Sequence, residues 1–416
     1  LVPHFYTGEL EGSVLVGGLD VRQTELSQIA GIVGSVFQNP RTQFFNLDTT
    51  GEIAFGMENL GVPREEMHRR MRGVVRELGM ERLMGRGIFE LSGGQMQSVA
   101  FASAWACRPS VYVLDEPSSN LDPPSMEKLA SFISKAKSSG SAVIIAEHRL
   151  SYLAGVADRY LLFEDGSVAA EWDAQRFLGL PDSERESCGL RSSEPPKLAD
   201  LMQRLSRPVS AFPAVEARGI YAGYERGVPV LEGITVSFDP GRVVGMVGRN
   251  GAGKSTLLKC LAGIKKEELG HVRFQGSVVP PKRRPEHVFL VMQDPDYQLF
   301  RPSVRDELAS AAPSPSDVDE LRLEAVLERF GLGDVADRHP ASLSGGQKQR
   351  CVCAIASESG AQALLLDEPT SGLDFRNMER LALILREEAS RGKTVAVVSH
   401  DTEFLSKACD QIVLIE

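Results

Sequence analysis

The stretch GRNGAGKST (Gly248–Thr256) has the spacing G-x-x-x-x-G-K-[ST]. Gly248, Gly251 and Gly253 let a backbone curl until successive N–H groups point inward, with Asn250 carried on the same loop. Such a nest, opening the N-terminus of a helix, suits phosphate oxygens. Lys254 can reach terminal phosphates, and the Ser255 hydroxyl can ligate Mg²⁺, with Thr256 beside it. The competing reading is a glycine-rich turn that binds nothing. The apolar run VVGMV before the loop and the helical pattern TLLKCLAG after it favour the phosphate loop. Downstream, LLDEP ends a strand-like run with two carboxylates. Asp367 can hold Mg²⁺ through water, and Glu368 can polarise an attacking water. Adjacent strand residues face opposite sides, so the two carboxylates need different tasks.

The elements that must position these groups occur twice. LSGGQ stands at Leu91–Gln95 and at Leu343–Gln347, and 343 − 91 = 252. Asp115 of VLDEP and Asp367 of LLDEP are also 252 apart (367 − 115), as are His148 and His400 (400 − 148). FQNPRTQFF returns as MQDPDYQLF, with Gln38 and Gln293 separated by 293 − 38 = 255. Matches in one order at nearly one offset identify two copies of one domain. The expected division is 1–179 for the first copy, 180–213 for a polar Ser- and Pro-rich linker, and 214–416 for the second copy. Buried-type runs such as VYVLD, SAVIIAE and TVAVVS alternate with helical patterns, so each copy is α/β with a largely parallel sheet. In LSGGQ, Ser92 and Ser344 are natural N-caps. The glycines behind them (Gly93, Gly94, Gly345, Gly346) bare N–H groups at a positive helix end, with Gln95 next in line.

EGSVLVGG in the first copy pairs with LGHVRFQG in the second, so Gly12 matches Gly270 and Leu1 falls near Ile264. The first copy is therefore expected to begin about ten residues after the place of its own phosphate loop, by the repeat offset. The second copy stops at QIVLIE, whereas the first continues into RYLLFEDGSVAAEW, a hairpin with a D-G turn. The chain reads as a fragment trimmed at both ends.

With 416 residues, two domains are the natural expectation. Hydrophobic content of 42% and charged content of 25% are ordinary for a globular protein. A net charge of −10 argues against a nucleic-acid-coating protein. The basic PKRRP (281–285) reads as a solvated loop rather than a phosphate-contacting one. No apolar run reaches the length needed to span a bilayer, so direct membrane insertion is not expected. The six cysteines are scattered; core thiols are expected rather than a disulfide framework, a metal site at Cys351 and Cys353, or an oxidising compartment.

The ordered set of phosphate loop, Gln loop, LSGGQ, LDEP, D-loop and switch histidine resembles a tandem ATP-binding-cassette (ABC) ATPase over essentially the whole chain outside the linker. The resemblance implies two P-loop NTPase domains of ABC type, each with a mainly parallel sheet, an antiparallel β part and a helical subdomain, and ATP with Mg²⁺ as ligands. It implies that His400 contacts the γ-phosphate and that Gln293 senses Mg²⁺ and the γ-phosphate. Tyr224 lies where an adenine-stacking ring is expected, with Tyr221 nearby. Head-to-tail pairing in the family implies composite sites. One would join Lys254, Ser255, Gln293, Asp367, Glu368 and His400 to Ser92, Gly93, Gly94 and Gln95. The other would use Gln38, Asp115, Glu116 and His148 with Ser344, Gly345 and Gly346. After LSGGQ, Ser98 stands where Arg350 stands in the second copy, so the two sites are not identical.

PHFYTGE, FQNPRTQFF and EIAFGMENLG, with IIAEHRL around His148, resemble the fused ATPase of energy-coupling-factor importers for vitamins or metal ions. That resemblance implies a motor on the cytoplasmic face of the membrane. Its partners would be a transmembrane scaffold subunit and a small membrane substrate-binding subunit, contacted through the helical regions 63–91 and 318–343. Those helices could equally present a solvated amphipathic face. Two alternatives stay open: a fused ATPase of a binding-protein-dependent peptide or sugar importer, and a soluble cassette protein acting on the ribosome or DNA.

Overall fold

A computed structural model describes residues 8–415 except 120, 208–209, 211, 226 and 312–318. The PHFY segment (3–6) and Asn120 of the first D-loop therefore lie outside the described residues. Two compact units divide the chain, Leu1–Leu180 and Pro181–Glu416.

In the first unit, β1 (Leu15–Val16) and β2 (Leu19–Asp20) form a short antiparallel pair. Strands β3 (Val33–Val36), β4 (Val111–Asp115) and β5 (Ala142–Ala146) form a parallel sheet in that order. Val36, Tyr112 and Leu114 point into a core made with helices Thr49–Asn59, Arg64–Leu78, Gly93–Cys107 and Pro123–Ser138. Val113 and Ile144, on the opposite face by the period of two, are exposed. The D-G hairpin forms as read: β6 (Arg159–Glu164) and β7 (Ser167–Asp173) pair antiparallel. Asp165 and Gly166 both have positive φ (48° and 77°), as a type I′ turn requires.

The second unit has two sheets. An antiparallel one holds β8 (Val215–Glu225), β9 (Val228–Phe238), β11 (Leu269–Phe274) and β12 (Ser277–Val278) in the order β12-β11-β8-β9. A parallel one holds β10 (Val243–Val247), β13 (Val288–Val291), β14 (Ala363–Asp367), β15 (Thr394–Val398) and β16 (Gln411–Leu414) in the order β13-β14-β15-β10-β16. Both faces of the parallel sheet are covered, which is why its strands are uninterrupted aliphatic runs. Val243, Val247, Leu364, Leu366, Val395 and Val397 pack on one side against helices, including Gly345–Glu358 and Phe375–Ser390. Val244, Met246, Leu365, Ala396 and Val398 pack on the other, against the antiparallel sheet and helix Lys254–Leu261.

The stretch expected as a linker, 180–213, is folded onto the second unit where it is described. Its helices Asp182–Ser187 and Leu198–Arg204 bracket a buried Arg191, and Leu201 and Leu205 enter the second unit's core. The polar composition that suggested a linker conceals two apolar anchors and a buried ion pair. The unit boundary falls after Leu180, one residue past the expected end of the first copy, and the stretch after it groups with the second unit. PKRRP leaves Lys282, Arg283 and Pro285 exposed, as a solvated loop would, but one of its arginines is a correction. The segment lies in a 3₁₀ turn (Pro281–Glu286) whose Arg284 is buried. Arg284 donates to the Cys260 carbonyl at 2.6 Å and forks onto Glu267, so it braces the fold rather than standing in solvent.

Among the described residues all six cysteines are free, and Cys351 and Cys353 are core thiols that burial pushes up to about 12. Among those residues no helix is long and apolar enough to cross a membrane.

Candidate active site

Strand β10 delivers its last residue, Val247, directly into the loop Gly248–Gly253, and the helix starts at Lys254. The glycines are steric necessities. Gly253 has φ of 89°, and a Cβ there would stand 2.4 Å from Leu231 Cδ2; a Cβ on Gly248 would stand 2.3 Å from the Ile415 carbonyl oxygen. Gly251 also has positive φ (87°). Lys254 curls back over the loop, and its Nζ donates to the carbonyls of Gly248 (2.8 Å) and Arg249 (2.9 Å). The ammonium is thus already held at the mouth of the nest.

Asp367 ends β14 and is buried. Burial pushes its carboxyl above the usual range, against a hydrogen bond from Ser255 and the charges of Lys259 and Lys254, which pull the other way. Its Oδ1 is enclosed with no hydrogen-bond partner. A buried carboxylate oxygen without a partner, beside a serine hydroxyl, fits one side of a Mg²⁺ site. No cluster of three or more His, Cys, Asp or Glu side chains suited to a metal occurs among the described residues. An ion held by Asp367 and Ser255 would be completed by water and phosphate rather than by a protein cage. When bound there, Mg²⁺ would neutralise charge on the phosphates.

Glu368 departs from the expected reason for its orientation. The strand stops at Asp367, and Glu368 sits at φ of 49°, in the left-handed region. Glu116, its first-copy counterpart, does the same at φ of 38°. Strand alternation is therefore not what separates the two carboxylates; a strained residue turns the chain so that the Glu side chain meets the switch histidine. The His400 backbone N–H donates to Glu368 Oε2 at 3.3 Å, and His400 Nε2 lies 3.6 Å from Glu368 Oε1. His400 Nε2 also lies 3.0 Å from Asn250 Oδ1, which ties the switch histidine to the phosphate loop. The first unit has the parallel arrangement: Gln38 Nε2 donates to Glu116 Oε2 at 2.7 Å, and His148 Nε2 is 3.4 Å from Glu116 Oε1. Asp115 is more open than Asp367. Burial and then the Glu116 carboxylate push it up, with His148 opposing. Gln293 follows β13 and is exposed.

Tyr224 has an exposed ring, with Lys265 Nζ 5.0 Å and Lys259 Nζ 5.9 Å from its centroid. Its hydroxyl is 3.5 Å from Thr256 Oγ1, which sets it beside the phosphate loop. Tyr221 instead stands against Gly233 and pairs with Leu269. The two lysines were not foreseen. Lys259 lies about one helical turn beyond Ser255, a spacing that places both on one side of the helix.

Both LSGGQ segments form capping boxes. The Gln95 and Gln347 N–H groups donate to Ser92 and Ser344 Oγ at 3.4 and 3.3 Å. The serine N–H groups donate back to the glutamine side chains at 3.0 and 2.9 Å. A Cβ on Gly345 would meet nothing within 4 Å, so that helix end is sterically open. Gly94 packs on Ser125, in the first turn of helix Pro123–Ser138, and Gly346 on Leu373 of the D-loop before helix Phe375–Ser390. Ser98 Oγ bonds back to the Gly94 carbonyl (2.9 Å), whereas Arg350 reaches the Gly331 carbonyl (3.4 Å), so the two signature helices are braced differently.

The family pattern described as "ABC transporter" matches residues 5–119 and 231–371. The chain belongs to that family. A putative ABC transporter ATP-binding protein of Treponema denticola is 39% identical over all of this chain and 85% of its own length. One from Saccharolobus solfataricus is 30% identical over all of this chain and 82% of its own. Among solved structures, the archaeal ribosome recycling factor aABCE1, in complex with the stalk protein aP1, superposes with a TM-score of 0.62. The identity is 24%, covering 92% of this chain and 71% of that one, a likeness of fold alone. This tandem ABC protein is accordingly an ATP-hydrolysing enzyme whose ligands are ATP and Mg²⁺.

Proposed function

We propose that this ABC ATPase is the motor subunit of a membrane importer of the energy-coupling-factor type, working at the cytoplasmic face of the membrane. In that role Lys254, Ser255 and Thr256, with the N–H groups of Gly248–Gly253, cradle the ATP phosphates, and Tyr224 takes the adenine. Asp367, Ser255 and Gln293 serve the Mg²⁺ side. Glu368, held by His400, accepts the proton of the attacking water. Gln38, Asp115, Glu116 and His148 have the corresponding roles in the first unit. Ser92, Gly93, Gly94 and Gln95, with Ser344, Gly345 and Gly346, are assigned to nucleotide through the helix ends they open.

The observation that supports a membrane-protein partner is an apolar patch beside each Gln loop. Phe45 is 75% exposed, and Leu47 and Phe89 are similarly bare; in the second unit Tyr297 and Phe300 stand out likewise. The patches are held rigid. Buried Glu52 accepts the N–H groups of Phe45 and Asn46, and Glu307 does the same for Phe300 and Arg301. Gln43 and Gln298 stitch the same segments to their sheets. Rigidly presented aromatic side chains are typical of a docking surface. The partners under this reading are a transmembrane scaffold and a small, strongly apolar substrate subunit. Likeness to archaeal ABCE1 in its ribosome-bound form (27% identity, TM-score 0.64) favours a second reading, a cassette protein acting on the ribosome.

The test is native mass spectrometry of the protein extracted from its own membranes in mild detergent, run beside sedimentation of the lysate. Co-extraction with two apolar subunits is expected. Co-sedimentation with ribosomes, or recovery alone in the soluble fraction, would remove the importer reading.

A further inference from the structure

The two units solve one local problem in different ways. In the first, Arg149 directly follows the switch histidine, and its Nη1 donates to the carbonyl of Leu121 in the D-loop (3.4 Å). At the matching position of the second copy (149 + 252 = 401) stands Asp401, which has no proton to donate. The matching D-loop carbonyl is that of Leu373 (121 + 252 = 373), and a guanidinium still meets it. Arg191 reaches in from the segment between the copies, and its Nη1 donates to the Leu373 carbonyl at 3.2 Å. Its Nε donates to Glu403 at 2.8 Å and its Nη2 to Asp401. The Ser192 N–H adds a bond to Glu403 at 3.0 Å.

The substitutions are matched. Where the arginine is local, the two positions hold Arg149 and Ser151; where it is imported, the corresponding positions hold the carboxylates Asp401 and Glu403. Arg191 and Asp401 side chains are only 4% and 3% exposed, so the pair is fully dry. The strap that carries Arg191 is fixed on either side of it. The Ser187 carbonyl accepts from Arg376 at 2.9 Å, and the Leu205 carbonyl accepts from the Ile412 N–H at 3.2 Å. Asp401 in turn caps the helix after the switch loop through the Phe404 N–H (3.1 Å), while the preceding His400 N–H bonds to Glu368. One planar fork therefore joins three acceptors: the D-loop backbone and two carboxylates of the switch segment.

We propose that Arg191 is a positioning residue for ATP hydrolysis, clamping the second unit's switch segment to its D-loop as Arg149 does within the first unit. The assignment rests on Glu368 and His400 serving hydrolysis. The hydrogen bonds of the Arg191 guanidinium go to Leu373, Asp401 and Glu403, which lie outside the phosphate loop. Loss of Arg191 should let the His400–Glu368 geometry drift while leaving the phosphate cradle intact. A lysine keeps the charge but lacks the fork and cannot satisfy all three acceptors in place.

The experiment compares Arg191→Lys, Arg191→Met and the transplant Arg191→Met/Asp401→Arg/Glu403→Ser in the purified protein. Measurements are kcat, the Kd of a fluorescent ATP analogue and the melting temperature, with Glu368→Gln alongside. Arg191→Lys is expected to lower kcat by about tenfold or more, as misplaced catalytic groups do, with Kd changed less than about twofold. The transplant, which rebuilds the first unit's arrangement, is expected to recover kcat above Arg191→Met. If Arg191→Lys keeps wild-type kcat, or loses kcat only in step with nucleotide binding and folded fraction, the positioning role is wrong. Turnover persisting in Glu368→Gln would instead overturn the site assignment on which this inference rests.

Discussion

Two carboxylates one residue apart carry opposite expectations. Under the proposed assignment, Glu368→Gln keeps the shape of the site but removes the charge that would accept the water's proton, so hydrolysis should cease while ATP still binds. Equilibrium binding and phosphate release on one preparation check this, and unchanged phosphate release would refute it. Asp367 is different because burial has raised its proton affinity. A carboxyl whose folded value lies above the ordinary 3.8 contributes stability below that value, and the contribution is lost as pH rises through the raised one. At neutral pH, without Mg²⁺, the ionised group therefore costs stability. Asp367→Asn should remove that cost and raise the melting temperature of the second unit, by about 2–4 °C for each kcal/mol recovered. The same variant should lose Mg²⁺-dependent turnover. A lower melting temperature in Mg²⁺-free buffer would show that the unpartnered Oδ1 is not a strained ligand.

Single elements set where these groups can stand. The phosphate loop tolerates no Cβ at Gly253, where positive φ and Leu231 both forbid one. Gly253→Ala should abolish ATP binding while leaving the first unit's unfolding transition in place, as calorimetry would show. The capping boxes are milder: Ser344→Ala removes the acceptor for the Gln347 N–H and should cost about 1 kcal/mol. Denaturant unfolding reads that loss directly, and a neutral result would mean water replaces the cap. Sequence reading located these helix starts because caps and glycines are local signals. It did not anticipate that Glu116 and Glu368 leave their strands in the left-handed region, because nothing in D-E-P alone compels a non-glycine residue to adopt it.

Across the whole chain, the segment between the copies is structural. Leu201 is buried in the second unit's core, and Leu201→Ala should destabilise that unit by about 2–4 kcal/mol while sparing the first. Two resolved calorimetric transitions, only the later-numbered unit's shifting, would bear this out; no shift would mean the strap is detached in solution.

Sequence alone determined the family and the duplication, and it supplied nearly every residue proposed for the nucleotide site, since these rest on spacing: glycine for a nest, serine for a cap, a carboxylate after an aliphatic run. Tertiary structure decided which groups become coupled. His400 meets Glu368 and Asn250, Arg284 is drawn out of solvent onto Glu267, and Arg191 crosses to Asp401 and Glu403. Each pairing joins residues far apart in the chain or reverses the exposure that composition suggests. A charged residue in a polar stretch is buried only where a distant carboxylate compensates its desolvation, and one-dimensional spacing does not contain that distance.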